Sequence, residues 1–80
     1  MSRTPRWGFL AVQDLKRMPW RAAAKVDAAI QRFAETGEGD LRWVSVNGVR
    51  EFRLYVPPYF AWVSVDEDEL LVWRVLRYTH

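Results

Sequence analysis

The second half of the chain alternates hydrophobic and polar positions with the period of two that is typical of β-strands. Four segments rich in β-branched and aromatic residues follow one another at 41–46, 49–56, 59–65 and 70–78. Asn47-Gly48 separates the first two, and both residues tolerate the positive φ of a tight hairpin turn. The pattern therefore predicts a sheet in which 41–46 and 49–56 pair as an antiparallel hairpin.

The remaining two segments differ in how their faces are composed. Segment 59–65 is apolar on both faces, which indicates a central strand, and Pro57-Pro58 before it interrupts the hydrogen-bond ladder. In 70–78, strict alternation places Arg74 on one of the two faces, and that face must be partly open because a buried unpaired guanidinium is costly. The two predicted faces of this strand are Leu71, Trp73 and Val75, and Val72, Arg74, Leu76 and Tyr78.

The first half of the chain has the 3.6-residue period of amphipathic helices. Residues 11–18 form a short helix that Pro19 ends, while 7–10 fit either an edge strand or the start of that helix. Residues 21–35 form the stronger helix because they include six alanines. Three apolar residues of this helix are predicted to face the sheet: Val26, Ile30 and Phe33.

These elements predict a single α+β domain over 1–80. Two N-terminal helices pack on one face of a twisted, mainly antiparallel sheet of three to four strands, and the other face is a concave surface carrying arginine and aromatic side chains. Twelve aromatic residues give so short a chain enough bulk for one core.

Composition limits the cellular location and the kinds of metal or disulfide site that we expect of the protein. The chain has no cysteine, which excludes disulfides and thiolate zinc sites and favours a reducing, cytoplasmic location. It has no apolar run of the roughly 20 residues that span a bilayer, so we expect no membrane partner. The acidic run 66–69 fits a solvated hairpin turn better than a metal site, and the sequence indicates neither a metal nor a cofactor.

The charge of the chain is mild but its type is informative. The net charge is +2, and ten of the twelve basic residues are arginine, whose planar guanidinium matches phosphate. The bias is equally explained by a GC-rich or heat-adapted host, and the basic residues of the 21–35 helix by an ordinary solvated face. The candidate nucleic-acid-binding residues are Arg21, Lys25, Arg32, Arg50 and Arg53.

The order of these elements resembles the RelE/ParE superfamily of toxins from type II toxin-antitoxin modules. The segment 14–19 (Asp-Leu-Lys-Arg-Met-Pro) is similar to the end of that family's first helix, and 68–77 (Asp-Glu-Leu-Leu-Val-Trp-Arg-Val-Leu-Arg) to its last strand. Phe52-Arg53-Leu54 followed by Tyr59 also fits, and the terminus 77–80 partly resembles that of YoeB-like toxins, with Thr79 where those have histidine.

The resemblance implies a toxin that stops growth, either by metal-independent, ribosome-dependent cleavage of messenger RNA or by a ParE-like action on DNA gyrase. It implies a cognate antitoxin, the ribosome with its mRNA or gyrase as target, and a homodimer as an alternative assembly. Ribonuclease chemistry needs cations for the phosphate and groups that move protons. The predicted catalytic cluster is Arg53, Arg74, Arg77, Tyr78 and His80.

Departures from the family pattern keep other hypotheses open. Phe60 stands where ribonuclease members often carry arginine, and a histidine at position 80 is poorly held for acid–base chemistry. Arg53 could instead pair with an acidic neighbour across the sheet. The alternatives are a catalytically degenerate member that binds protein or nucleic acid, and a small nucleic-acid-binding domain with salt-dependent affinity.

Overall fold

The computed structural model describes residues 2–78, and these form two helices and one five-stranded sheet. The chain begins with a short strand and two helices, β1 (Thr4–Trp7), α1 (Phe9–Arg17) and α2 (Trp20–Thr36). Four strands complete it: β2 (Asp40–Val46), β3 (Val49–Val56), β4 (Tyr59–Val65) and β5 (Glu69–Arg77). Their order across the sheet is β1-β5-β4-β3-β2.

The predicted fold class is wrong in the make-up of the sheet. The sheet has five strands instead of three or four, and its first strand precedes both helices and pairs parallel with the last, with Thr4 opposite Glu69. Only the four strands that follow the helices are antiparallel. Segment 7–10 was predicted as either an edge strand or the start of the first helix, and it is divided between the two: β1 ends at Trp7 and α1 begins at Phe9. Between them, the Gly8 amide donates to the Val72 carbonyl at 2.8 Å.

The hairpin turn predicted in the middle of the chain is confirmed. Asn47 and Gly48 have φ of 51° and 80° and join β2 to β3, where Val46 lies opposite Val49. Gly37, at φ 77°, ends α2 in the left-handed conformation, and its amide donates to the Phe33 carbonyl. Both positions need positive φ, which explains why asparagine and glycine occur there.

The hydrophobic core lies between α2 and one face of the sheet. As predicted, Val26, Ile30 and Phe33 are buried there, against Leu54 and Ala61 among others. Burial of a whole Leu or Ile side chain contributes about 1.5–3 kcal/mol, so each of the fully buried side chains in this layer stabilises the fold substantially. We refer to the opposite face of the sheet, which carries Phe60, as the open face.

An irregularity in β5 overturns the predicted alternation of that strand. Its register with β4 shifts between Trp62 and Val63, so that Trp62 lies opposite Arg74 while Val63 lies opposite Val72. Val72 and Val75 are therefore both buried in the core, although strict alternation put them on different faces. One extra residue in a strand has this effect, because it reverses the direction of every later side chain.

No helix within residues 2–78 is long and apolar enough to cross a membrane. The predicted cytoplasmic location stays a prediction.

Candidate functional site

An aromatic cluster covers one end of the open face. Tyr55 lies opposite Phe60 in the β3–β4 register, and their ring centroids are 5.9 Å apart. Tyr78 meets Tyr55 edge-on at 5.4 Å and lies 6.4 Å from Phe60. Phe60 is consequently 8% exposed although it is on the face away from the helices. Such tilted and edge-to-face contacts stabilise a cluster beyond the area that it buries.

Arginine side chains lie over this cluster and are themselves paired with carboxylates. The guanidinium of Arg53 is 4.5 Å from the Phe60 ring centroid, and that of Arg42 is 4.7 Å from Tyr55. Arg53 donates to Glu51 at 3.1 Å, and Arg42 donates to Asp40 at 2.9 Å. The bond to Asp40 raises the pKa of Arg42. The positive charge of each guanidinium is therefore balanced by a neighbouring carboxylate.

Arg74 is held by the first helix. Its Nε donates to Oδ2 of Asp14 at 2.8 Å and its Nη2 to Oδ1 at 3.1 Å, while the Val75 amide donates to the same carboxylate at 2.9 Å. Partial burial raises the pKa of Asp14, but the bonds from Arg74 and Val75 outweigh it and leave that pKa below its ordinary value. The pairing likewise raises the pKa of Arg74. Asp14 thus ties α1 to the free edge of β5 beyond the end of β1.

Exposed indoles lie beside these groups on the open face. Trp62 is opposite both Arg53 and Arg74 in the strand registers and is 37% exposed. Trp73 is 46% exposed and donates its indole N–H to the Ser64 hydroxyl at 2.7 Å. We call these two residues the indole pair. They give the open face an exposed apolar area that is bordered by arginine–carboxylate ion pairs.

The structure brings together only part of the predicted catalytic cluster. Arg53 and Tyr78 both adjoin the Phe60 ring, whereas Arg74 is bonded to α1. Arg77 lies opposite Tyr59, whose side chain belongs to the helix-facing set, so alternation directs Arg77 away from Tyr78. His80 lies outside the described residues. The catalytic roles of all five stay predictions.

The predicted nucleic-acid-binding residues are spread over several surfaces. Arg21 and Lys25 border a groove on α2, whereas Arg32 pairs with Glu38 at 2.8 Å. Arg50 lies 4.6 Å over the Trp43 ring on the hairpin, and Arg53 belongs to the open face. They form no continuous track along one side of the molecule, and their role too stays a prediction.

Sequence reasoning missed three partners at this site. Period-two alternation does place Tyr55 and Glu51 on the Arg53 face of β3, but neither was predicted as a site residue. Asp14 gave no local signal, since its partner Arg74 is 60 residues away. The acidic run 66–69 lies at the turn between β4 and β5, as predicted, and its last residue, Glu69, begins β5. Oδ1 of Asp66 accepts from the Asp68 and Glu69 amides. Within residues 2–78, no three carboxylate or imidazole side chains converge as a metal site.

Comparison with known proteins gives likeness of fold. Neither a family model nor a curated protein matches the chain. Among solved structures it is similar to a chain of the RelBE2 toxin-antitoxin complex of Mycobacterium tuberculosis, with a TM-score of 0.84, 17% identity, and coverage of 98% of this chain and 93% of that one. It is also similar to a chain of the RelB–RelE antitoxin–toxin complex of Methanococcus jannaschii, with a TM-score of 0.66, 22% identity, and coverage of 89% and 87%.

These findings correct the identification of the chain as a RelE/ParE toxin and the growth inhibition predicted with it. Both neighbours are complexes of an antitoxin with a toxin, and at 17% and 22% identity the likeness carries the fold and no toxin activity. The chain therefore has a fold that also occurs in toxin-antitoxin complexes.

Proposed function

We propose that this chain is a protein-binding component of a two-protein complex of the toxin-antitoxin kind, and that the open face is its binding surface. Its fold is one found in such complexes, from two organisms. The observation that carries the proposal is the composition of the open face, which combines exposed indoles with arginines that are already paired. A ribosome with its mRNA, gyrase and a second copy of the chain stay predictions as partners.

The charge state of the open face favours a protein over a polyanion. Its two arginines each donate to a carboxylate, Arg42 to Asp40 and Arg53 to Glu51, and Arg74 at the neighbouring edge of β5 donates to Asp14 of α1. A phosphate backbone would compete with these carboxylates and would be repelled by them. Nucleic-acid sites gain affinity from unpaired cationic side chains, which release counterions from the phosphates, and this face has few such side chains. Arginine and aromatic residues are, in contrast, enriched at protein interfaces.

The indole pair has the features of an interface anchor. Trp62 and Trp73 are large side chains that are exposed on neighbouring strands. The hydrogen bond from the Trp73 indole to the Ser64 hydroxyl holds one of them in place. Tryptophan is enriched among the residues that dominate binding energy, because it buries a large area with few rotatable bonds. We therefore place the centre of the interface at the indole pair and its rim at the paired arginines.

The test uses the protein encoded by the adjacent reading frame as the partner. Isothermal titration calorimetry should show a complex with the unmodified chain. Trp62→Ala with Trp73→Ala should weaken it by at least about tenfold, since an interface anchor contributes roughly 2 kcal/mol or more. Trp43→Ala is the matched control, because Trp43 is 57% exposed but lies on the other face of the hairpin. Circular dichroism checks that each variant is folded.

Two results would refute the proposal. One is no binding by the unmodified chain. The other is an equal loss of affinity for Trp43→Ala and the double variant, which would show that the open face has no special part in binding.

A further inference from the structure

A groove of about 530 Å³ runs between the first half of α2 and the turn that joins β3 to β4. Its floor and walls are apolar, and they include Ala22, Val26, Val56 and Pro58. Alanine at position 22 leaves the groove open, because a larger side chain there would occupy the space between the helix and the turn. The volume lies in the range of about 300–1,000 Å³ that is usual for binding sites.

The rim of this groove carries two cations without a carboxylate partner. Arg21 and Lys25 line it, and neither forms an ion pair with any residue of 2–78. The first turn of α2 adds charge of the same sign, since it has no acidic residue and no side-chain cap on its amides. The groove is therefore positive, in contrast to the compensated open face.

Negative charge without a partner collects at the other end of the molecule. The C-terminal end of α2 meets the β4–β5 turn through β1, because the Arg3 amide donates to the Ala34 carbonyl and the Thr4 amide to that of Asp68. Glu35 and the exposed acids of this turn lie there and form no ion pair within residues 2–78. Asp27 is the acid nearest to the two cations in sequence, but it accepts from Gln31 at 3.4 Å and forms no ion pair within residues 2–78.

We propose that this groove binds an acidic amphipathic segment of the partner protein; the proposal rests on the proposed function. Arg21 and Lys25 are four residues apart on one helix, so their side chains emerge about 5–6 Å from each other. Carboxylates one helical turn apart on a partner helix have the same spacing and can meet both cations. The apolar side chains between those turns would cover Val26, Val56 and Pro58.

A nucleic acid fits the same groove less well. A phosphate backbone could meet the two cations but would leave the apolar floor exposed to water. Stacking of unpaired bases needs exposed aromatic faces, and the aromatic residue that lines the groove, Tyr59, is half-buried against the core. Trp20 is 75% exposed but is outside the groove lining, and the Arg21 guanidinium lies 5.2 Å from its ring centroid. Charge together with apolar area therefore selects a protein segment.

The test uses a fluorescein-labelled helical peptide that carries leucine on one face and glutamate at positions four apart beside it. A second peptide has glutamine in place of each glutamate. Fluorescence anisotropy should show that the chain binds the acidic peptide more tightly. Arg21→Gln with Lys25→Gln should weaken this binding roughly 2- to 30-fold, as expected for two exposed ion pairs. Arg32→Gln with Arg50→Gln removes the same charge elsewhere and should leave affinity unchanged.

A space-filling variant separates the groove from charge alone. Ala22→Leu keeps a strong helix former and both cations but occupies the groove, so it should abolish binding of the acidic peptide. Equal affinity for the two peptides, or equal losses in the two charge variants, would overturn the proposal. Tighter binding of a 12-nucleotide single-stranded RNA through Arg21 and Lys25 would overturn it in favour of a nucleic acid.

Failure here is distinguishable from failure of the proposed function. If the protein from the adjacent reading frame binds Ala22→Leu as tightly as the unmodified chain but loses affinity for Trp62→Ala with Trp73→Ala, the groove assignment is wrong and the proposed function stands. If that protein does not bind the unmodified chain at all, the proposed function fails.

Discussion

The Asp14 carboxylate makes a sharp prediction about stability, because it joins α1 to β5 by three hydrogen bonds. Its side chain is 10% exposed and that of Arg74 is 34% exposed. Asp14→Asn keeps the shape but leaves one acceptor oxygen and points an N–H group toward the guanidinium or the Val75 amide. Hydrogen bonds to charged groups contribute about 1.5–3 kcal/mol, and partial exposure of Arg74 places the expected loss near the low end, about 2 kcal/mol.

The effect should depend on pH in a defined direction. The folded-state pKa of Asp14 lies below its ordinary value of 3.8. The charged carboxylate therefore contributes its full stabilisation above that ordinary value, and the contribution is lost as pH falls through the folded pKa. The difference in unfolding free energy between the unmodified chain and Asp14→Asn should be largest at pH 7 and should shrink as the medium is acidified below 3.8.

Urea unfolding followed by tryptophan fluorescence measures this difference. A loss of about 2 kcal/mol corresponds to a fall of roughly 8–16 °C in melting temperature for a domain of this size. Asp27→Asn is the matched control, since Asp27 is exposed on α2 and accepts only a 3.4 Å bond from Gln31. A change below about 0.5 kcal/mol at pH 7, or a difference that persists unchanged in acid, would refute the reasoning.

Three further changes have expected outcomes. Leu54→Ala should lower the unfolding free energy by about 2–5 kcal/mol in urea titration, because Leu54 is 1% exposed in the core. Gly39→Ala should lower the melting temperature, because the new Cβ would lie 2.9 Å from a Leu54 methyl and 3.3 Å from the Phe33 ring. An unchanged melting temperature would show that these two side chains move aside at no cost. Asn47→Val should cost about 1–3 kcal/mol because its φ is 51°, whereas Asn47→Gly should stay near the unmodified stability in the same titration.

The parts of the fold that sequence predicted are those governed by local rules. The hairpin at Asn47-Gly48 and the buried stripe of α2 follow from turn chemistry and from helical period, which involve neighbouring residues only. The parallel pairing of β1 with β5 could not be predicted from its four residues, because the partner strand supplies the reason for their extended conformation. The bulge in β5 escaped for the same reason, since it is set by the register with β4.

The candidate site shows a similar division. Arg53 does lie on the open face, and an acidic partner was among the stated alternatives, although Glu51 is on the same strand instead of across the sheet. That Arg74 is engaged by Asp14 could not be predicted, because it depends on where α1 passes the edge of β5. The toxin hypothesis depended on resemblance in the order of elements, and order specifies a fold without specifying an activity.

The contact between Thr4 and Glu69 also has a consequence for how the chain acquires its structure. Closing this pair brings together positions 65 residues apart, and such long-range closure loses chain entropy before it gains contacts. During synthesis the helices emerge well before the strand that anchors β1 and receives the Asp14 carboxylate. Until that strand is complete, the apolar side of α2 has only part of its cover, so the growing polypeptide is most prone to aggregation just before its last strand joins the sheet.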